Sequence, residues 1–400
     1  MSLLYISWNN LKANKLTTLL NILLISFGTG ILSILLLASF QIESKLEKNA
    51  RDIDLVVGAK GSPLQLILSN IFYIDFPTGN IPLKDAQKLA SHPMVSRAVP
   101  LALGDNYKGF RIAGTDTNFI SLYGLQIAEG KFWIGDFEVT VGSQVAQVEK
   151  LKIGDKLFGA HGLTNANEKH ESHSYVVSGI LKAQGNVTDN LVLTNISSVW
   201  KMHDIQDQGA ESKQQIVQTH EPEITSLLIQ YNSPVSAVVF PKMVNKSTNL
   251  QAASPAIETA RLFSLIGVGV DTLEWFALLI MGISAISVFI SLYNSMKERK
   301  YDLAVMRTIG ASKLKLFQTV ILEGIILTLI GADLGVIFGH LAIHIIGQYQ
   351  DSNQARLSGT IFLEKELFII IIGIGIGVIA ALIPAVQAYR SDISQILSKN

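Results

Sequence analysis

Long uncharged apolar runs near both ends of the chain predict helices that cross a membrane. Three runs contain no Asp, Glu, Lys or Arg: Leu16–Ile42, Trp275–Met296 and Leu367–Tyr389. Each is longer than the roughly 20 residues that a helix needs to cross a bilayer. A fourth run, Leu316–Gly347, is apolar except for four ionisable residues, Glu323, Asp333, His340 and His344. The pattern therefore predicts four spans, at 17–42, 273–296, 316–347 and 367–389.

The polar region between the first two spans alternates strand patterns with helix patterns, which predicts a mixed α and β domain. Strands are expected at Val95–Pro100, Tyr107–Ala113, Phe137–Val141, Ser174–Leu181 and Ile224–Gln230. Helices are expected at Leu83–Ala90 and Ser143–Lys150. Ser233-Pro234 and Ser254-Pro255 each place a capping residue before a proline at the first helical position. The second pair is expected to begin a helix that continues into the second span as a stalk.

Basic residues are distributed unevenly among the segments that join the spans. Six lie between the second and third spans: Lys297, Arg299, Lys300, Arg307, Lys313 and Lys315. The segment between the third and fourth spans has only Arg356 and Lys365. Because cytoplasmic loops carry the excess of Lys and Arg, we expect both termini and residues 297–315 in the cytoplasm and residues 43–272 outside it.

The predicted fold class is a four-helix membrane bundle with both termini cytoplasmic and a large mixed α/β extracytoplasmic domain between the first and second helices. Eight segments follow: an amphipathic lead-in and first span (1–42), the extracytoplasmic domain (43–270), the stalk end and second span (271–296), a cytoplasmic loop (297–315), the third span (316–347), a short external loop (348–366), the fourth span (367–389) and a cytoplasmic tail (390–400).

Composition agrees with a membrane protein and argues against several functions. Charged residues make up 16% of the 400 residues, against about 25% in a typical soluble domain. The net formal charge is zero, which makes nucleic acid an unsuitable partner. The sequence has no cysteine, so disulfides and thiolate metal sites are excluded. It also has no Gly-x-x-x-x-Gly-Lys-Ser/Thr phosphate loop and no evident nucleophile–base pair, so we do not expect an enzyme.

Two stripes of small residues predict where the spans pack closely. Gly331, Gly335 and Gly339 recur every fourth residue in the third span, and Gly373 and Gly377 do so in the fourth. Small residues at this spacing let helix backbones approach each other, although glycine is also frequent in membrane helices without such a role. The expected result is a compact bundle without an obvious pore.

Three ionisable residues of the third span share one helix face. At 100° per residue, Asp333, His340 and His344 lie within about 40° of one another. Ionisable groups in a span cost roughly 2.5–3.5 kcal/mol and usually face protein or water. Packing within the bundle is the interpretation that we favour for these three residues, and a proton or metal relay is the alternative.

A polar stretch in the outer region is rich in histidine. His161, His170 and His173 lie there together with two glutamates. Imidazole and carboxylate groups at such spacing are zinc ligands, so one interpretation is a zinc site. The other is a solvated loop that happens to contain three histidines.

The 297–315 segment is predicted to contain a short helix, from Glu298 to about Thr308, that stops at Gly310. Its helix mixes charged and apolar side chains: Arg299, Asp302, Leu303, Met306 and Arg307. A surface helix of this kind suits docking into a groove of a cytoplasmic partner. A solvated basic loop is the alternative.

This segment resembles the signature of the FtsX/MacB-like permeases of ABC transporters. The matching residues are Arg299, Asp302, Met306-Arg307 and Gly310-Ala311-Ser312. The family more often has Glu where this chain has Asp302, and Leu where it has Met306. The resemblance continues through Glu323-Gly324, the glycines of the third span and Pro384-Ala385. For Glu323 it implies a hydrogen bond between helices.

The outer region is similar to the MacB-like periplasmic core domain. The matching residues are Gly114-Thr115-Asp116, Gly130-Lys131, Val141-Gly142-Ser143 and Leu151–Asp155. The stretch Asn10–Leu16 resembles the amphipathic lead-in of the same family. The resemblance thus covers nearly the whole chain.

The resemblance implies a mechanism and a set of partners. Permeases of this family have four spans, dimerise, and bind a cytoplasmic ATPase dimer through the loop helix, which is called the coupling helix. MacB-like members transmit ATP-driven movement to their outer domains and pass no substrate through the bundle. ATP-Mg is bound by the ATPase, and the permease itself needs no cofactor. The residues expected at the ATPase contact are Glu298, Arg299, Asp302, Leu303, Met306, Arg307 and Gly310.

Three functions remain open at this point. The first is a permease of the inner membrane, with residues 43–272 in the periplasm, that moves or extracts a lipoprotein, peptide or drug. Its partners would include a second permease copy or a paralogue, and a periplasmic adaptor or substrate protein. The second is FtsX-like signalling to a cell-wall hydrolase. The third is a metal-handling ABC system, which only the histidines of the outer region suggest.

Overall fold

The fold was obtained as a computed structural model, which describes residues 3–161, 174–202, 221–349 and 357–390. The chain forms two compact units. The bundle unit contains the described residues up to 42 and from 266 onward, and the sheet unit contains those of 43–265. The boundary between the units falls inside two helices, α2 (Lys15–Ala50) and α9 (Pro255–Glu298).

The bundle unit is entirely helical in its described part. Besides α2 and α9, it contains α1 (Leu3–Ala13), α10 (Lys300–Thr308), α11 (Lys313–Gln348) and α12 (Glu366–Arg390). Among the described residues, α2, α9, α11 and α12 are long and apolar enough to cross a membrane. The four predicted spans are therefore confirmed as helices. Both α2 and α9 extend beyond their apolar runs, because Glu and Lys residues such as Glu47 and Lys48 are good helix formers and do not end a helix.

Glycines bring the helices of the bundle into backbone contact. A Cβ atom on Gly335 would overlap the Thr29 hydroxyl and lie 2.9 Å from the Gly30 nitrogen of α2. On α12, a Cβ atom on Gly373 would lie 2.9 Å from the Ala332 side chain of α11. Helix α11 is thus in close contact with α2 on one side and with α12 on the other.

The sheet unit is built on one large mixed sheet. In chain order, the strands are β1 (Leu55–Ala59), β2 (Ile81–Pro82), β3 (Val95–Tyr107), β4 (Phe110–Thr115), β5 (Ile127–Gly130), β6 (Glu138–Val141), β7 (Lys156–Leu157), β8 (Ala160–His161), β9 (Tyr175–Leu181), β10 (Leu191–Asn195), β11 (Glu223–Ile224), β12 (Ser226–Tyr231) and β13 (Leu250–Ala253). The sheet has the order β13-β1-β12-β3-β4-β10-β6-β9-β5, with β7 beside β9 and β8 beside β3. Strand β10 is parallel to β4, and β6 is parallel to β9. A separate pair joins β11 to β2.

Helices cover both faces of this sheet. They are α3 (Pro63–Asn70), α4 (Leu83–Ala90), α5 (Thr117–Tyr123), α6 (Ser143–Glu149), α7 (196–202, as far as the chain is described) and α8 (Ser236–Ser247). Strand β1 alternates between the two cores that result. Val56 packs with α3 and α5, whereas Leu55 and Val57 pack with α4 and α8.

The end of α2 is anchored within the sheet unit. Leu46 and Ala50 pack against the same core as Val56. The Asn49 side chain accepts a hydrogen bond of 2.8 Å from the Val187 backbone N–H. Since Asn49 is buried, this bond is protected from water and holds the last turn of the helix.

The predicted elements of the outer region differ from the structure in several places. The strand expected at Tyr107–Ala113 is interrupted, because β3 ends at Tyr107 and β4 begins at Phe110, with Lys108 and Gly109 at positive φ in the turn between them. Helix α8 begins at Ser236 and not after Ser233-Pro234, because those two residues form a turn in which the Ser236 N–H donates to the Ser233 carbonyl. Strands β1 and β10 were not predicted, since a strand buried on both faces is a continuous apolar run without alternation. The predicted helix start at Ser254-Pro255 is confirmed, and so is the mixed α/β character of the domain.

The close contact of α11 with α2 can be tested at Gly335. We expect Gly335→Ala to destabilise the protein by about 1–3 kcal/mol, because the added methyl group has no space in a packed interface. Gly375→Ala is the matched control, since a Cβ atom there meets nothing within 4 Å. The measurement is unfolding in mixed SDS micelles followed by circular dichroism. Equal stability of both variants would contradict the packing described.

Candidate coupling site

A helix break at Arg299 sets the start of the coupling helix. Helix α9 continues through Glu298, Arg299 has φ −99° and ψ 18°, and α10 begins at Lys300. The predicted start at Glu298 was therefore wrong by two residues, because that residue still belongs to the span helix. At the other end, α10 stops before Gly310, whose φ of +103° suits glycine far better than any other residue.

Glu323 is the polar centre of this end of the bundle. Its side chain is only 4% exposed, yet each carboxylate oxygen has a donor. Asn10 of α1 donates to Oε1 at 2.5 Å, and the two terminal nitrogens of Arg299 donate to Oε1 and Oε2, each at 3.3 Å. Arg299 also donates to the Ser295 hydroxyl of α9. One buried carboxylate thus connects α1, the α9–α10 junction and α11, which is the kind of bond between helices expected for Glu323.

A second hydrogen bond fixes α1 on α11. The Ser7 hydroxyl donates to the Thr319 carbonyl at 3.2 Å, and both residues are buried. Leu11 of the same helix is also buried. Helix α1 therefore lies against α11 with one face, while Leu4 and Tyr5 remain exposed.

The coupling helix has an inner and an outer face. Ala304 is buried, and Leu303 and Met306 pack on a cluster at the ends of the span helices: Met296, Leu316, Val320, Ala385 and Ala388. Leu303 and Met306 were expected at the contact with a partner. The structure packs both on this cluster and leaves each partly exposed, so their contact with a partner stays a prediction.

The outer face of α10 carries two large exposed side chains that sequence reasoning missed. Tyr301 is 53% exposed and Ile309 is 81% exposed. Asp302, Glu298 and Thr308 are exposed as well; we call these five residues the coupling surface. Helical periodicity alone could have found residues 302 and 309, which lie more than about 100° from the inward position 304, but not Tyr301 or Thr308, which lie within about 60° of it.

Arg307 and Gly310 lie where α10 ends and the chain turns towards α11. Arg307 is half-buried, and one of its terminal nitrogens lies 3.5 Å from the Ala311 carbonyl. The Ala311 N–H donates to the Met306 carbonyl at 3.0 Å. The Ser312 hydroxyl then caps α11 by accepting a bond from the Lys315 N–H. The loop is therefore well ordered by its own hydrogen bonds.

The other ionisable residues of α11 do not form one relay. Nδ1 of His340 lies 2.8 Å from the Gly359 carbonyl, and Nε2 lies 2.9 Å from Oε1 of Glu366. Glu366 is fully buried and also accepts from the Ser33 hydroxyl of α2; sequence reasoning missed it because it lies at the very start of the last span. His344 is exposed, 3.1 Å from the Gln348 side chain. Asp333 is exposed and makes no hydrogen bond or ion pair within the described chain.

The histidine-rich stretch is only partly described. His161 ends strand β8, whereas His170 and His173 lie outside the described residues. Over residues 3–161, 174–202, 221–349 and 357–390, no three His, Asp or Glu side chains are grouped as metal ligands.

Comparison with known proteins gives two family models that together cover most of the chain. The model described as FtsX-like permease C-terminal matches residues 275–393. The model described as MacB-like periplasmic core domain matches residues 18–240, more than half of the chain.

One relative and two solved structures are similar to this chain. The lipoprotein-releasing system transmembrane protein LolC of Neisseria meningitidis is 22% identical over 264 residues, which are 63% of this chain and 60% of LolC. The match thus spans less than two thirds of that relative. The periplasmic region of MacB from Actinobacillus actinomycetemcomitans has a TM-score of 0.35 and 11% identity, covering 55% of this chain and 97% of that one. The extracellular domain of YknZ from Gram-positive bacteria has a TM-score of 0.30 and 12% identity, covering 50% and 98%.

The pairing of Glu323 with Arg299 can be measured by a double-mutant cycle. We expect Glu323→Leu to cost about 3 kcal/mol, because it leaves Arg299 without its buried partner. The second substitution, Arg299→Leu, should then cost less in that background than in the wild-type chain, with a coupling of about 1–3 kcal/mol. The measurement is again unfolding in mixed micelles.

The exposed pair of Lys88 with Asp85, 3.0 Å apart, is the control cycle. Its coupling should stay below about 1 kcal/mol. If the coupling free energy of Glu323 and Arg299 is no larger than that of the control pair, the two side chains do not stabilise each other, which would contradict the pairing described.

Proposed function

The chain belongs to the FtsX/MacB-like permeases of ABC transporters, and on that basis we propose that it transmits movement from a separate cytoplasmic ATPase to its periplasmic domain. It is a multi-pass protein of the inner membrane. In this family, ATP hydrolysis belongs to the ATPase component, and we assign ATP-Mg binding to that subunit. The permease contributes the surface on which the ATPase acts.

The coupling surface is the observation that carries this proposal. A short helix on which Tyr301 and Ile309 are exposed and Ala304 is buried lies on the bundle and is open to a partner. Ile309 is 81% exposed and lies on the same side of this helix as the exposed carboxylate of Asp302, which suits a groove with an apolar floor and a basic rim. In this proposal, Tyr301 and Ile309 fill the groove of the ATPase and Asp302 fixes the orientation.

The hydrogen bonds of Glu323 would carry a displacement of α10 by the ATPase into the helices of the bundle. Arg299 lies between α9 and α10 and is bonded to Glu323 and Ser295. A displacement of α10 therefore acts on α9 and α11 together and is not absorbed in a loose loop. Helix α9 is one uninterrupted helix from Pro255 to Glu298, so we assign to it the transmission towards residues 255–265.

We propose a lipoprotein of the inner membrane as the substrate that is moved. The support is the name of the relative, a lipoprotein-releasing system transmembrane protein. An extraction mechanism also agrees with a bundle whose helices are packed through glycine, since the lipid-anchored substrate would be handled on the periplasmic side. A second permease copy or a paralogue completes the assembly in this proposal.

Reversing the charge of the coupling surface tests the proposal. We expect Asp302→Arg, and separately Ile309→Glu, to weaken ATPase binding at least tenfold, which corresponds to about 1.4 kcal/mol. The assay reconstitutes the permease with its ATPase in proteoliposomes that contain a triacylated lipopeptide. It measures ATPase binding and the ATP-dependent release of the lipopeptide into solution.

The control is Lys315→Glu, a charge reversal of equal size on an exposed residue outside the coupling surface. It should leave binding and release unchanged. Normal binding by both Asp302→Arg and Ile309→Glu would contradict the docking proposal. Normal binding and hydrolysis by the wild-type chain without lipopeptide release would contradict the proposed substrate and leave the docking intact.

A further inference from the structure

Asp333 is an exposed carboxylate halfway along a membrane-spanning helix. On the same face of α11, Ile337 is 58% exposed and Leu341 is 52% exposed, and Ile330 is partly exposed. We call these four residues the Asp333 face. Its three neighbours are aliphatic and offer the carboxylate no hydrogen bond.

The position of Asp333 places it within the hydrocarbon of the bilayer. Helix α11 contains 36 residues, a length of about 54 Å at a rise of about 1.5 Å per residue. Asp333 is about 30 Å from the start of α11 and about 22 Å from its end by the same rise. A hydrocarbon layer about 30 Å thick therefore includes Asp333 wherever the layer lies between the ends of the helix.

Two other carboxylates, Glu323 of α11 and Glu366 of α12, have partners within the chain, whereas Asp333 has none among the described residues. Glu323 receives donors from Asn10 and Arg299. Glu366 is fully buried and receives the Ser33 hydroxyl, with His340 at 2.9 Å. A carboxylate left alone at mid-membrane costs roughly 2.5–3.5 kcal/mol. Asp333 thus lacks, within the described residues, the donor that each of the other two has.

We propose that the Asp333 face docks a transmembrane helix of a different polypeptide, which carries a hydrogen-bond donor or a cation at the same depth. The donor would be a Lys, Arg, His, Asn or Gln side chain, matched to Asp333, and its apolar neighbours would pack on Ile337 and Leu341. Polar groups that meet across helices stabilise helix association in lipid. The proposal requires only that α11 spans the membrane, and it does not depend on the substrate proposed above.

A second copy of this chain does not fit this face when the two α11 helices pack face to face. Two copies have the same orientation in the membrane, so such a symmetric contact brings Asp333 opposite Asp333 at equal depth. Two carboxylates at one site disfavour each other's charge. The nearest exposed ionisable group on this side of α11, His344, lies 11 residues away, about 16 Å along the helix.

The test uses photo-crosslinking in the native membrane with the full chain. A benzophenone amino acid replaces Ile337, and in a control chain it replaces Ile379 of α12, which is 68% exposed. We expect a polypeptide adduct at position 337 but not at 379, with the linked peptide in an apolar span that contains a donor. Asp333→Leu should lower the adduct yield at least tenfold, and Asp333→Glu should change it less than twofold.

Three results of this experiment would overturn the proposal. They are the absence of a polypeptide adduct at position 337, an adduct with a second copy of this chain, and an adduct whose yield is the same in Asp333→Leu.

A second measurement checks that Asp333 lacks a donor within its own chain. In nanodiscs that contain only the purified permease, Asp333→Leu should raise the midpoint of thermal unfolding, because it removes an unpaired carboxylate from lipid. Glu323→Leu is the matched control and should lower the midpoint, since that carboxylate is paired. A lower midpoint for Asp333→Leu would show that the chain itself satisfies Asp333, and the proposal would be wrong.

Discussion

Carboxylates in the apolar interior of the bundle have to be matched by donors, and this requirement organises its cytoplasmic end. Glu323 lies on α11, but its partners are Asn10 from the amphipathic helix α1 and Arg299 from the junction of α9 and α10. Neither partner can move away without leaving a charge in an apolar setting. The position of the coupling helix therefore depends on Glu323 of α11 more than on the segment between α9 and α11 that contains the coupling helix.

Glycine contacts complement this polar centre. Gly335 brings α11 against α2, and Gly324 and Gly377 bring α11 against α12 at backbone distance. A bundle packed in this way has little freedom to change one helix contact alone. Together with the uninterrupted helix α9, this rigidity suits a protein that transmits displacement and would not suit one that must open a wide path through its own bundle.

The sequence predicted the architecture well because the apolar runs, the proline at residue 255 and the glycine at residue 310 are local signals. It did not predict which side of the coupling helix is free. Met306 was expected at the partner contact, and the structure shows that it also packs, partly buried, on the bundle cluster that contains Leu316 and Ala385. Which side of the coupling helix packs on the bundle depends on residues that are distant in sequence. Glu366 was missed because it lies at the very start of the last span, and its partners Ser33 and His340 come from two other helices that are distant in sequence.

We propose that ATP-driven displacement reaches the periplasmic domain through α9. Because the sequence has no cysteine, a pair of spin labels can be attached at Val238→Cys and Ile379→Cys, both at exposed positions of the wild-type chain, and their distance measured by pulsed electron resonance in the complex with its ATPase. We expect the distance distribution to change between the nucleotide-free and ATP-bound states. The change should persist in Gly269→Ala and disappear in Gly269→Pro, because proline interrupts the helix. An identical distribution in both nucleotide states, or a change that survives Gly269→Pro, would contradict the account.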